Sequence, residues 1–311
     1  MPRYRLTVAY DGTNFHGWQR QIMPADLAHA HGHTLPSNED GRIELRTVQK
    51  VLNDAIASVV RAPIEVLGAS RTDAGVHAFH QTAAFTVPED TPRPPDERLI
   101  DAINARLPDD VIVHACARTN EDFDPISHCI AKGYRYTLHC ARTRPLWDRA
   151  SVAHIREEHD LPRMREAAAL LIGTHDFAAF AASGHGREST VRTVIHCAVH
   201  ELPPPANEPI PAQRLAIDIA ADGFLWNMVR IIAGTLSEVG RGRMDPERIT
   251  EAIESGNRRL AGPTLVPDGL CLMWGIYPQD DPQALAERHG FDPAILHNVP
   301  QRGGEATEST A

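Results

Sequence analysis

The sequence lacks the features that mark membrane, secreted and zinc-binding proteins. No hydrophobic run approaches the roughly 20 residues that a transmembrane helix requires. The first residues pass directly into a strand pattern, without the apolar segment of a signal peptide. The five cysteines are scattered and contain no Cys-x-x-Cys pair, which favours reduced thiols over a disulfide framework or zinc site. These absences predict a cytoplasmic protein that holds no metal.

Lysine is also scarce, since it occurs only at Lys50 and Lys132 and arginine supplies every other cationic side chain. The formal net charge of −10 by itself argues against a nucleic-acid partner. Part of this excess lies in residues 279–311, which contain six acidic residues and two arginines. Arginine suits bidentate contacts with phosphate. Composition therefore neither establishes nor excludes RNA binding.

The 311 residues allow two domains, and one order of secondary-structure patterns occurs twice. The first half reads strand, helix, strand, strand, helix, strand, at about 5–10, 48–59, 64–69, 81–87, 95–106 and 110–117. This is the βαββαβ order of a ferredoxin-like unit, and Thr47 is expected to cap its first helix. The second half repeats the order loosely up to about residue 277, with helices predicted from about Leu225 to Val239 and from just after Asp245. We expect an α+β protein with two similar ferredoxin-like halves, residues 1–120 and 121–278, flanking a ligand-binding cleft.

Two segments are expected to be peripheral to these halves. Residues 23–46 are polar and are predicted to be an inserted loop, in which alternating histidines at 29, 31 and 33 fit solvated side chains better than a metal site. Residues 279–311 are acidic and lack sustained periodicity, which predicts a flexible tail.

Residues 70–77 read Ser-Arg-Thr-Asp-Ala-Gly-Val-His and separate two apolar, strand-like runs. A carboxylate held at such a turn is exposed and aimed by the strands on both sides, so Asp73 is a candidate catalytic residue. The local sequence equally allows Asp73 to be a turn residue that bonds its own backbone. Arg71 has the simpler interpretation of a surface cation.

Two further candidates lie in the second half. Tyr134 and Tyr136 alternate on one predicted strand, which in isolation indicates a half-buried aromatic face of a sheet. Arg230 lies within the apolar run Phe224–Ile232. Burying a guanidinium without a partner is costly, so we expect Arg230 to pair with a carboxylate at the cleft.

Taken together, these segments resemble the TruA-type tRNA pseudouridine synthases. The matches are collinear and span most of residues 4–277, comprising 9–21, 47–49, 71–78, 133–136, 175–177, 227–230, 261–264 and 269–270. The sequence departs from the family pattern at Ser70, at His80 and in the long loop 23–46. Each piece alone is weak, but the Arg-Thr-Asp-Ala-Gly-Val-His string with the others in order is very specific.

The resemblance implies a pseudouridine synthase fold and a role for each candidate. Asp73 would be the nucleophile, Tyr134 would pack on the target base, Arg230 would pair with the carboxylate, and Arg71 would help to displace the base. Family members act without cofactor, as homodimers, on uridines 38, 39 and 40 of the tRNA anticodon stem-loop. The expected partners are therefore tRNA and a second copy of the chain.

The chemistry leaves some alternatives open. Uridine must lose its N1–C1′ bond, turn its base and rejoin through C5, and a carboxylate could attack either the sugar C1′ or the base. A hydrolase of small glycosides is one rival function, although it would require a second carboxylate as general acid. A non-catalytic RNA-binding protein on the same scaffold is the other.

Overall fold

The computed structural model describes residues 1–30, 37, 40–182, 184, 188–203 and 212–299. In this part of the chain the strands are β1 (Arg3–Tyr10), β2 (Ile22–Pro24), β3 (Arg42–Glu44), β4 (Leu67–Gly68), β5 (His77–Thr86), β6 (Val111–Thr119), β7 (Ala131–Cys140), β8 (Ala153–Ile155), β9 (Gly173–Asp176), β10 (Val191–Leu202), β11 (Gln213–Ala221) and β12 (Leu270–Ile276). The helices are α1 (Ala25–Ala30), α2 (Val48–Val60), α3 (Asp96–Asn104), α4 (Leu161–Ala169), α5 (Met228–Gly240), α6 (Arg248–Ser255) and α7 (Pro282–His289).

One large sheet organises the fold. Its strand order is β6-β1-β5-β12-β7-β11-β10-β9, with β4 paired to β5 and β8 paired to β7. Most neighbours are antiparallel, whereas β12 runs parallel to β5. The α+β class is confirmed. Strand β12 joins the strands of the first half to those of the second, while the two ferredoxin-like repeats remain a prediction.

The main core lies between one face of this sheet and the helices. Helix α2 shows why, because its apolar residues recur at helical spacing and Leu52, Ile56 and Val60 are fully buried. The Thr47 side chain accepts a hydrogen bond from the Lys50 backbone N–H and so caps this helix as expected. Helix α5 is buried over nearly its whole length and packs near β7, a central strand of the sheet.

Several predicted boundaries are wrong. The strand expected at 64–69 is reduced to Leu67–Gly68, α5 begins at Met228 instead of Leu225, and α6 begins at Arg248 instead of after Asp245. The expected loop 23–46 contains α1 and β3, and β3 pairs antiparallel with β2; Ile43 and Leu45 are buried there together with Ala28. The histidines at 31 and 33 lie outside the described residues.

Part of the segment that was expected to be a tail has regular secondary structure. Helix α7 and a 3₁₀ helix at Pro293–Asn298 pack on the sheet. The Phe291 ring stacks on Trp274 with 4.5 Å between ring centroids, and Leu285 is buried in the same cluster. These apolar side chains are too few to show a periodic pattern, yet they suffice to cover a sheet face.

Among the described residues, no helix combines the length and apolarity needed to cross a bilayer.

Candidate active site

The loop that carries Asp73 lies between β4 and β5 and is held by the segment that follows β1. The Trp18 N–H donates to the Thr72 carbonyl at 3.0 Å, and the Gly75 N–H donates to the Phe15 carbonyl at 3.3 Å. The Tyr10 hydroxyl lies 2.7 Å from the Thr72 hydroxyl in a buried contact. These bonds on both sides of Asp73 fix the backbone that presents its carboxylate.

Two glycines make this close packing possible. Gly17 has a φ of +85°, and a Cβ at this position would lie 2.6 Å from the Thr72 carbonyl oxygen. Gly75 has a φ of +81°, and its Cβ would lie 2.8 Å from the Pro267 ring. Both positions therefore require glycine for conformation and for space.

The Asp73 carboxylate meets one donor from α5 and one from the segment just before this helix. Arg230 Nη1 lies 3.4 Å from Oδ2, and the indole Nε1 of Trp226 donates to Oδ1 at 3.2 Å. The Asp73 side chain keeps 33% of its surface exposed, against 16% for that of Arg230. A partly open carboxylate therefore lies beside a cation that is largely enclosed. The expected pairing of Arg230 with a carboxylate is confirmed.

Arg230 is held independently of Asp73. Its Nε donates to the Leu265 carbonyl at 2.7 Å, and its Nη1 donates to the Asn227 side-chain oxygen at 2.8 Å. Asn227 precedes α5 in a left-handed conformation with a φ of 61°, which is tolerated better by asparagine than by most residues. This bend in the backbone separates Trp226 from the helix, so that an indole and a guanidinium both reach one carboxylate.

Tyr134 lies on β7 and is only 8% exposed. The pKa of its hydroxyl is raised to about 12, chiefly by burial, while a hydrogen bond with Ser70 opposes the shift and the negative charge of Asp73 adds to it. The ring contacts Phe224 edge to face, with 5.1 Å between centroids. The phenol is therefore neutral at pH 7, and its ring forms part of the buried floor near Asp73.

Arg71 is not brought to Asp73. It is exposed, and its side chain makes no hydrogen bond or ion pair with any residue in the described ranges. Its guanidinium is consequently free for contacts with a ligand outside the protein.

The chain is similar to known proteins along most of its length. Residues 167–278 match the family model described as tRNA pseudouridine synthase. The chain is 34% identical to tRNA pseudouridine synthase A 2 of Clostridium perfringens, over 88% of this chain and 98% of that protein. It is 37% identical to tRNA pseudouridine synthase A of Thermoanaerobacter sp. strain X514, over 89% of this chain and all of that protein. The chain belongs to the tRNA pseudouridine synthase family.

The family match and the site overlap only in part. Arg230 and Trp226 lie inside the matched stretch 167–278, whereas Arg71, Asp73 and Tyr134 lie outside it. The similarity to the Pelobacter propionicus synthase, 36% identity over 88% of this chain and 98% of that protein, extends well beyond that stretch. Similarity therefore places this tRNA pseudouridine synthase in its family, whereas the role of each residue has to be inferred from the geometry of the site.

Two contacts of the site were not anticipated from the sequence. Trp226 was recognised only as part of an apolar run, and Ser70 only as a departure from the family pattern. Helical spacing gives no signal for Trp226, because the left-handed Asn227 separates it from α5. In the described part of this synthase, no three His, Cys, Asp or Glu side chains are grouped so as to hold a metal ion.

Proposed function

We propose that this chain isomerises uridine to pseudouridine in tRNA, with Asp73 as the nucleophile. One observation carries the proposal: in a member of this family, the partly exposed Asp73 carboxylate contacts Arg230 and Trp226 and lies near the buried Tyr134. A nucleophile needs this combination of access and fixed position.

Asp73 acts on a uridine that has left its base stack. Enzymes that modify bases commonly extrude the nucleotide into a pocket, because the reacting atoms are inaccessible within a helix. The N1–C1′ bond then breaks, the uracil turns, and a C5–C1′ bond forms while C5 loses its proton. Asp73 forms a transient covalent bond with either the sugar C1′ or the base, and both routes suit an ionised carboxylate.

Tyr134 supports the uracil while it turns. A ring that is 8% exposed offers one limited face to a base, and its packing against Phe224 keeps that face in place. Since burial raises the pKa of Tyr134 to about 12, its phenol keeps its proton at pH 7. Tyr134 therefore serves as a stacking surface and hydrogen-bond donor, and it is a poor base for the C5 proton.

Arg71 is assigned to the RNA rather than to Asp73. Its exposed guanidinium can enter the stack that the uridine leaves or bind a neighbouring phosphate. Uridines 38, 39 and 40 as targets, a homodimer, a cytoplasmic location and a cleft between two ferredoxin-like halves are predictions of the family resemblance.

The rival functions fit the site less well. A glycoside hydrolase would need a second carboxylate as general acid, whereas the described partners of the Asp73 side chain are a guanidinium and an indole. A non-catalytic RNA-binding protein would have no need for a carboxylate held by two donors beside a buried tyrosine.

The test is incubation of the protein with unmodified tRNA transcripts, followed by mapping of pseudouridine at each position. We expect product in the anticodon arm with the wild type and none with Asp73→Ala, while both proteins bind tRNA with similar affinity. Product formation by Asp73→Ala near the wild-type rate would refute the assignment of the nucleophile. Absence of product from the wild type would refute the function itself.

A further inference from the structure

The segment that connects β7 to β8 is unusual for this acidic chain. This segment, residues 141–152 and here called the arginine loop, exposes Arg142, Arg144 and Arg149 to solvent. Between them lies Trp147, whose surface is 87% exposed. A tryptophan this exposed gains nothing from the core and carries a cost in solubility, which points to a contact with another molecule.

The ends of the arginine loop are fixed to the fold. His154 Nε2 donates to the Ala141 carbonyl at 2.8 Å, next to β7. Near the other end, the Asp148 carboxylate forms an ion pair with the largely buried Arg214. The Arg149 guanidinium donates to the Leu146 carbonyl at 2.8 Å, which closes the turn around Trp147. The tip is thus ordered before it binds anything, so binding costs less conformational entropy.

A single side chain connects the arginine loop to the loop of Asp73. His77 begins β5, four residues after Asp73, and its Nε2 donates to the Ala150 carbonyl at 2.8 Å. The other ring nitrogen, Nδ1, accepts from the Gly12 N–H at 3.1 Å. His77 therefore joins the Ala150 end of the arginine loop to the strand that follows the catalytic loop and to the segment after β1 that supports that loop.

The charge of the arginine loop is opposite to that of the chain. The protein carries a formal net charge of −10, yet the one acidic residue of this loop, Asp148, is already paired with Arg214. Arg142 and Arg144 form no ion pair with any residue that the structure describes. Unpaired arginines beside an exposed aromatic ring suit a polyanion that also presents flat apolar faces, and RNA is such a ligand.

We propose that the arginine loop is a tRNA-binding surface, in which Trp147 stacks on an unpaired base next to the target uridine and Arg142 and Arg144 bind the adjoining phosphates. The inference rests on the proposed function, since that function supplies the tRNA. An unpaired base is the fitting partner, because bases in a helix already stack on one another whereas those in a loop can splay onto an aromatic ring. Extrusion of the target uridine leaves its neighbour available for this contact.

The experiment measures the affinity for an unmodified anticodon stem-loop hairpin at several salt concentrations, in wild type, Trp147→Ala, Trp147→Phe, Leu146→Ala and Arg144→Ala. Trp147→Ala should bind at least about fivefold more weakly, and Trp147→Phe should stay within about twofold of wild type, because a phenyl ring still stacks. Arg144→Ala should reduce the slope of log K against log salt by about one. The exposed Leu146 is the matched control, and its variant should bind like wild type.

The fluorescence of Trp147 supplies a second readout that does not depend on affinity. The chain has four tryptophans, and stacking on a base should quench this exposed one. Titration with the hairpin should therefore quench the wild type by more than Trp147→Phe. Thermal unfolding should be the same in all variants, since each altered side chain is exposed.

Three results would overturn the proposal. Equal RNA affinity of wild type and Trp147→Ala would exclude the contact, and an equal loss with Leu146→Ala would exclude stacking. A change in oligomeric mass of Trp147→Ala at unchanged RNA affinity would assign the surface to a protein interface instead. None of these results bears on whether the wild type produces pseudouridine, so a failure here is distinguishable from a failure of the proposed function.

Discussion

Two of the aspartate–arginine pairs in this molecule differ in a way that separates structural from chemical roles. Arg135 and Asp218 lie opposite each other on β7 and β11 and are joined by two hydrogen bonds, of 2.7 and 2.8 Å. Arg230 approaches Asp73 through a single contact of 3.4 Å. The first pair occupies both carboxylate oxygens with one guanidinium. In the second pair, the Asp73 carboxylate can accept further hydrogen bonds and a third of its side-chain surface is exposed.

The surroundings of the two arginines account for the difference. The Arg135 guanidinium donates two hydrogen bonds to Asp218, and this ion pair links two neighbouring strands. Arg230 bonds the Leu265 carbonyl and the Asn227 side chain as well, so it would keep its place if Asp73 moved towards a substrate. A short bidentate pair serves stability, whereas a fixed cation beside a less constrained carboxylate serves chemistry.

Replacing each arginine by methionine should separate the two pairs most clearly. Arg230→Met removes a charged hydrogen-bond donor from Asp73, and we expect the single-turnover rate of pseudouridine formation to fall about a hundredfold. Arg135→Met should instead lower the free energy of unfolding by about 1–3 kcal/mol and leave the rate per folded molecule unchanged. An equal loss of rate in the two variants, measured beside urea unfolding, would remove the distinction.

Tyr134 tests whether a ring near Asp73 matters more than its hydroxyl. Tyr134→Phe keeps the ring, so we expect its single-turnover rate to stay within about tenfold of wild type, the worth of about one hydrogen bond. Tyr134→Ala should lose a few more factors of ten in rate and destabilise the fold by about 3–5 kcal/mol, because a buried aromatic side chain is removed. A Phe variant as slow as the Ala variant would assign the essential role to the phenol.

Trp226 tests the neutral donor to Asp73. Trp226→Phe keeps an aromatic ring but removes the N–H that reaches Oδ1 at 3.2 Å. We expect kcat to fall about tenfold at nearly constant KM, because a hydrogen bond to a charged group contributes about 1.5 kcal/mol or more. A rise in KM alone for Trp226→Phe would make Trp226 an RNA contact instead.

The smallest effect concerns pH and the sheet region covered by α7. His80 Nδ1 lies 3.0 Å from His289 Nε2, and burial lowers the pKa of each histidine to about 4, assisted by the positive charge of Arg288. The unfolded chain has ordinary histidine pKa values near 6.5, so it binds more protons than the folded chain between about pH 6.5 and 4. Stability should therefore fall as the pH falls through this window.

Urea unfolding of wild type and His80→Gln at pH 7.5 and pH 5 measures this contribution. Glutamine does not titrate, so the variant should lose less stability on acidification than the wild type. The pKa values of His159 and His196 are also lowered by burial, so the variant should retain part of the acid sensitivity. Identical acid sensitivity of the two proteins would mean that the His80–His289 contact contributes nothing.

Much of the fold and the main site were predictable because they depend on periodic or isolated signals. Helix α2 follows from apolar residues at helical spacing, and Arg230 was recognisable as a lone cation in an apolar helix that requires a partner. The sequence also indicated correctly that the partner would be a carboxylate from a distant part of the chain. The family resemblance already implied that this partner is Asp73, and the structure places the two side chains 3.4 Å apart.

The remainder depends on conformation that no local pattern encodes. Trp226 reaches Asp73 only because Asn227 adopts a positive φ and α5 begins directly after it, at Met228. The sequence had predicted an unbroken helix from Leu225. Helix α7 covers the sheet through a few apolar residues, and their role is visible only once they are seen to pack with Trp274. Both are effects of tertiary packing, which overrides weak local preference.

Two isosteric substitutions, Asp73→Asn and Asp218→Asn, test the role of Asp73 most directly when the rate of pseudouridine formation in tRNA is measured per folded molecule. We expect Asp73→Asn to be slower than wild type by at least about a thousandfold, because an amide is a poor nucleophile. We expect Asp218→Asn to be less stable but to turn over at the wild-type rate. Near-normal turnover by Asp73→Asn would show that Asp73 is not the nucleophile.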